Sequence, residues 1–133
     1  MIVADASAIA ELLLARPQAR GIRAALSPHP ELHVPEHFHV ELLSVLRRYA
    51  IRGELSGRRA AEALAALADL RAITYPVIDL AELIWDMRAQ LTAYDAAYLA
   101  LARRLDVGVI TLDTGLAKAA EAEGRLVALV RSS

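Results

Sequence analysis

The chain has 133 residues, no cysteine and a formal net charge of −1. That length can bury a core without disulfides or a structural metal. The missing thiols exclude a disulfide framework and a thiolate zinc site, and the charge gives no global attraction to nucleic acid.

Hydrophobic residues make up 56% of the sequence, above the roughly 45–50% of an average soluble domain. No stretch approaches the ~18 uncharged apolar residues of a membrane span. The surplus predicts surface buried against the chain itself or a partner, so an oligomer or an obligate partner is expected. The opening MIVADASAIAELLL has no basic stretch ahead of its apolar residues and carries an acid at position 5. It does not read as a signal peptide, and cytoplasm is the default expectation. No linker, repeat or low-complexity segment divides residues 1–133, which read as one domain.

In chain order, Ile2-Val3-Ala4 reads as a short buried strand ending at Asp5. A helix follows from about Ser7, and a second covers roughly residues 17–27. Leu32-His33-Val34 before Pro35 is a short strand. Residues 36–51 form a helix with Leu42, Val45, Leu46 and Tyr49 on one side and Val40, Leu43 and Arg47 on the other; Gly53 suits its C-terminal cap. Ser56 starts an alanine-rich helix that ends near Leu70, and residues 73–77 form a strand. Asp79 with Glu82 three residues on resembles a capping box for a helix over 80–90. A helix over 92–104, a clear buried strand over 107–112, a short helix over 116–123 and a last strand over 126–130 complete the chain. Strands alternating with helices predict an α/β fold, a parallel sheet with helices on both faces. In such sheets ligands bind beyond the carboxyl ends of the strands, where Asp5 and Asp113 lie.

Each acid also has a plain structural role open to it. Asp5 could cap the first helix, although Ser7 is as good a cap and would leave Asp5 free. Asp113 could cap the helix after it or begin an Asx-turn, as could Thr114. Glu41 could be an exposed glutamate paired with His37 one turn back. Asp95 falls at the third helical position after Thr92, approximating a capping box. The run from Tyr94 to Leu101 is nevertheless so apolar that its helix should be buried on most sides, and a carboxylate there needs a partner. If the four acids converged, their repulsion would raise and couple their titrations. A hard divalent cation on oxygen ligands relieves that and suits phosphodiester hydrolysis.

Four stretches, taken together, resemble the PIN-domain family, specifically the VapC-type toxins of type II toxin–antitoxin pairs. They are IVADAS with Asp5 and Ser7, VELLSVLRR with Glu41, YDAAYLALA with Asp95, and VITLDTGLAKAA with Thr111 and Asp113. They are spread over the chain in the family's order, and YDAAYLALA with TLDTGL is the most specific part. The resemblance implies a three-layer α/β/α sandwich with a central parallel sheet. It implies a Mg²⁺- or Mn²⁺-dependent endoribonuclease whose metal site is lined by Asp5, Glu41, Asp95 and Asp113, with Ser7 and Thr111 donating hydrogen bonds behind them. It also implies an RNA substrate, a homodimer and a cognate VapB-type antitoxin. Where some relatives carry a further acid after the fourth stretch, this chain has Thr114-Gly115-Leu116, so the resemblance does not extend to a second metal.

Three other readings compete. His33 and His37 have the i, i+4 spacing of zinc ligands, but Pro35 between them interrupts a helix. Asp5 after a first strand would suit aspartyl-phosphate chemistry in a phosphoryl-transfer domain, without explaining Glu41 and Asp95. A non-catalytic RNA-binding member of the same fold would not need all four acids. Arg47, Arg48, Arg52, Arg58 and Arg59 form a basic concentration that reads either as a solvated helix face or as a local nucleic-acid contact.

Overall fold

The computed structural model describes residues 1–129. Within them lie β1 (Ile2–Ala4), α1 (Ala6–Leu13), α2 (Ala19–Leu26), β2 (Leu32–Pro35), α3 (Phe38–Ile51) and α4 (Gly57–Asp69). After β3 (Ala72–Tyr75) come a 3₁₀ turn (Val77–Leu80), α5 (Ala81–Asp86), α6 (Ala93–Leu105), β4 (Val109–Ile110) and α7 (Thr114–Ala122).

The strands form one parallel four-stranded sheet in the order β3-β2-β1-β4. Helices flank it: α6 packs on β1, β2 and β4 between α5 and α7, while α1 packs on α2, α3 and α4. The architecture is the three-layer α/β/α sandwich. Its strand order is what positions a site. The chain winds outward from β1 through β2 to β3, then returns to the other side of β1 as β4. The crevice between β1 and β4 is therefore the topological switch point, where doubly wound sheets bind ligands.

The core explains which residues form which element. β1 is buried throughout, as expected of a central parallel strand, and every residue from Ala96 to Ala102 on α6 is buried. Tyr98, Phe38, Ile9, Leu42 and Leu99 are among the largest fully buried side chains. Leu42 and Leu46 belong to the core side of α3, while Val40 and Leu43 on its other side are exposed. Gly53 follows the end of α3 in the left-handed region (φ 74°), where a Cβ would be disfavoured.

Three local expectations change. Asp79 caps nothing. The chain enters a 3₁₀ turn behind Pro76, and the first free amide there, Val77 N–H, donates to Glu36 Oε1 at 3.0 Å. The helix expected over 80–90 is confined to Ala81–Asp86. The strand expected over 107–112 is only Val109–Ile110, because the next amides leave the ladder: Leu112 N–H donates to Ser7 Oγ and Asp113 N–H to Thr111 Oγ1. The last strand shrinks to a single parallel bridge between Val109 and Leu126, held by Val109 N–H to Arg125 O at 2.8 Å and Val127 N–H to Val109 O at 3.0 Å. Val130, the end of that expected strand, lies outside the described residues.

That bridge depends on a close approach at Gly108. A Cβ there would stand 2.7 Å from Val127 Cγ2 and 3.2 Å from Arg125 O. Valine has little rotamer freedom with which to retreat, and the carbonyl belongs to the bridge itself. Gly108→Ala is expected to lower unfolding stability by about 1–3 kcal/mol, measured by urea titration; an unchanged midpoint would show that the last segment yields freely.

Candidate active site

Asp5 leaves β1 at the switch point and is buried, with 4% relative exposure. It, and not Ser7, is the N-cap of α1. Its Oδ1 accepts from Ala8 N–H at 3.1 Å and from Ser7 Oγ–H at 2.7 Å, while its Oδ2 accepts from Thr111 Oγ–H at 2.5 Å. Ser7 is thereby released to receive Leu112 N–H at 3.1 Å. On the other side of the crevice Asp113, and not Thr114, caps α7, with Oδ2 accepting from Leu116 N–H at 2.8 Å. Both acids thus take the capping roles open to them and still face a common space.

Asp95 lies in the first turn of α6, whose N-cap is Thr92; Asp95 N–H donates to Thr92 Oγ1 at 3.3 Å. Its carboxylate has no hydrogen-bond donor among the described residues. Glu41, in the first turn of α3, has Oε1 held by the Tyr98 hydroxyl at 2.5 Å and lies 3.5 Å from His37 Nε2. Asp5, Glu41, Asp95 and Asp113 all line one cavity of about 480 Å³, with Ser7, Ser44, Arg48 and Tyr94 among the other lining residues.

The electrostatics follow from this crowding. Burial raises the pKa of Asp95 above the usual carboxylate value, and the charges of Asp113, Glu41 and Asp5 add to the shift in that order. Burial also raises that of Asp5, partly offset by its three hydrogen-bond donors. Among the described residues no arginine or lysine forms an ion pair with any of the four acids. Burial and the bond to Glu41 push the Tyr98 phenol far above its ordinary value, so it remains a donor at physiological pH.

The donor chemistry fits a divalent cation. The four acids supply only carboxylate oxygens, and Asp95 and one oxygen each of Glu41 and Asp113 lack protein donors among the described residues. As they stand, no three histidine, aspartate or glutamate side chains among the described residues form a group that could hold an ion. His33 and His37 do not converge: His33 Nδ1 bonds Tyr75 Oη at 2.7 Å, and His37 Nε2 bonds Tyr94 O at 3.1 Å.

Two features go beyond the sequence reading. Tyr98 reads as packing, yet its hydroxyl reaches Glu41 on another helix; its position three residues after Asp95, on the same face of α6, was the available signal. Arg48 sits at the edge of the acidic cavity. Its place seven residues after Glu41, two turns along one face of α3, was the corresponding clue.

The titrations predict a pH dependence. The folded state holds the Asp5 and Asp95 protons more tightly than the unfolded chain does. Their contribution to stability is therefore fully present below the unfolded carboxylate pKa and lost as pH rises through the raised folded values. Asp95→Asn has no charge to develop there, so its melting temperature in chelator should fall less than the parent's between about pH 4 and about pH 7. Parallel pH profiles would contradict the coupling.

Comparisons with known proteins agree with this frame. The PIN domain family matches residues 2–122. Ribonuclease VapC9 of Mycobacterium tuberculosis is 44% identical over 126 residues, covering 92% of this chain and 94% of the relative. Ribonuclease VapC12 of the same organism is 33% identical over 118 residues, covering 89% and 91%. Among solved structures, M. tuberculosis VapC20, described as a sarcin–ricin-loop-cleaving toxin, superposes with a TM-score of 0.69 at 18% identity, over 98% of this chain and 100% of that one. A toxin–antitoxin complex from Klebsiella pneumoniae gives 0.62 at 21% identity, over 86% and 88%. The chain belongs to the PIN domain family, alongside its VapC-type members.

Proposed function

We propose that residues 1–133 act as a single nuclease domain, a metal-dependent endoribonuclease toxin neutralised by a cognate VapB-type antitoxin. The observation that carries this reading is the facing of Asp5, Glu41, Asp95 and Asp113 onto one cavity with no arginine or lysine paired to them among the described residues. Its support from outside the chain is that the relatives of highest similarity reported above are named ribonucleases.

Asp5, Asp95 and Asp113 would hold Mg²⁺ or Mn²⁺, which would supply charge neutralisation at the phosphodiester and lower the pKa of water. The chain's own residues do the rest. Ser7 and Thr111 fix both oxygens of Asp5 and so its orientation. Tyr98 holds one oxygen of Glu41, leaving the other to orient the attacking water and take its proton. The water oxygen bonds to phosphorus as the bond to the 3′ oxygen breaks and that oxygen takes a proton from solvent, leaving 5′-phosphate and 3′-hydroxyl ends.

A homodimer and the antitoxin contact belong to the same reading. Exposed Leu43, Leu64, Ile78 and Trp85 provide apolar surface for protein partners. Among the described residues no helix is long and apolar enough to cross a membrane. The phosphoryl-transfer alternative is weaker, because an aspartyl nucleophile at Asp5 would leave Glu41 and Asp95, which line the same cavity, without a role.

Asp5→Asn preserves a capping acceptor, since asparagine and aspartate cap comparably. It is expected to abolish cleavage of RNA with an unchanged circular dichroism spectrum, and full activity in that variant would sink the assignment. Tyr98→Phe, which removes only the donor to Glu41, should slow cleavage by about 10–100-fold and leave the chemistry of the RNA ends unchanged.

A further inference from the structure

A cavity lined by four carboxylates repels a polyanion, and a chain of net charge −1 offers no general attraction to offset this. Cationic groups must therefore stand close beside the cavity if nucleic acid is to enter it. One side of α3 supplies them. Glu41, Ser44 and Val45 line the acidic cavity, Arg48 stands at its edge, and Arg52 follows one turn on.

A second groove of about 320 Å³ opens between α1 and the last turns of α3, lined by Ala10, Glu11, Tyr49 and Arg52. It is continuous with the acidic cavity, because Ser7, Val45 and Arg48 line both. Several other charges nearby are already matched. Glu11 pairs with Arg16 at 3.3 Å and accepts from Gln18 N–H, and the Arg16 guanidinium lies over the Tyr49 ring. Arg58 and Arg59 share Glu62, and Arg59 also donates to Leu14 O. Arg48 and Arg52 are exposed and have no carboxylate at ion-pair distance among the described residues. Placing cations near a helix C-terminus would account for their residue type, but not for both lining one groove that leads out of the acidic cavity.

We propose that this groove seats the RNA phosphates flanking the scissile bond, with Arg48 holding the nearer and Arg52 the next. The inference rests on the ribonuclease reading of the cavity. The two positions are about 6 Å apart along the helix axis, comparable with the step between successive phosphates. Guanidinium forks suit phosphate oxygens. Tyr94 packs against His37 at the start of α3, away from Arg52 at its end, and is 64% exposed; it can stack a base, so the strand would run from Tyr94 across the carboxylates to Arg52.

The test is fluorescence anisotropy with a labelled single-stranded RNA, in an Asp5→Asn background so that the probe stays intact. Arg48→Gln and Arg52→Gln should each weaken binding on the order of tenfold and lower the slope of log affinity against log salt by about 0.7, additively in the double variant. Arg20→Gln, the same charge change on the exposed face of α2, should change neither. Unaltered affinity and slope in the double variant would overturn the proposal, and so would variants that lose only binding of the antitoxin. Failure of the parent reading is separate: it would appear as uncut RNA with the unsubstituted chain in Mg²⁺ or Mn²⁺, whatever the binding shows.

Discussion

The buried carboxylate of Asp5 is the point on which the other parts converge. It receives a backbone amide from α1 and hydroxyls from Ser7 and Thr111. The Thr111 bond joins residues 106 apart in sequence. It crosses the crevice between β1 and β4, so one side chain caps a helix, closes the switch point of the sheet and faces the cavity. A buried carboxylate with fewer donors would neutralise or destabilise its surroundings. Its three donors partly offset the effect of burial on its pKa.

The same constraint explains why β4 is so short. Past Ile110 the chain spends its amides on Ser7 and Thr111, not on a neighbouring strand. Among the described residues the last segment then pairs through a bridge to Val109. A longer ladder would carry Asp113 away from Asp5. Sheet regularity is given up where the site is assembled, a common feature of strand ends that carry function.

Charge is distributed on a second level. Burial, with the neighbouring carboxylates adding to it, raises the pKa values of Asp5 and Asp95, while Arg48 and Arg52 extend from the cavity along α3. One helix thus carries an acid at its start and cations toward its end, the arrangement that also complements its macrodipole. Tyr98 links the two helices that carry Glu41 and Asp95. Its buried ring belongs to the core and its hydroxyl holds Glu41, so packing of α6 sets where Glu41 points.

Much of this was legible in the sequence. Apolar runs bounded by turn residues located the strands, and the apolar length of α6 announced its burial. The acids stood out because Asp5 and Asp113 follow strands and because Asp95 and Glu41 sit in apolar helices. These are properties of period and spacing, which the sequence by itself determined. Tertiary structure alone decided the rest. Asp5 and Ser7 are equally good caps on paper, yet Asp5 caps α1, and the Ser7 hydroxyl instead joins Asp5 to Leu112 N–H arriving from beyond β4. Asp79 lost its capping role to the turn behind Pro76, which is tied to Glu36 on a distant loop. Tyr98 and Arg48 acquired neighbours that local pattern does not encode. Hydrogen-bond donors and charges are shared among segments far apart in the chain, and only their arrangement in space decides which group satisfies which.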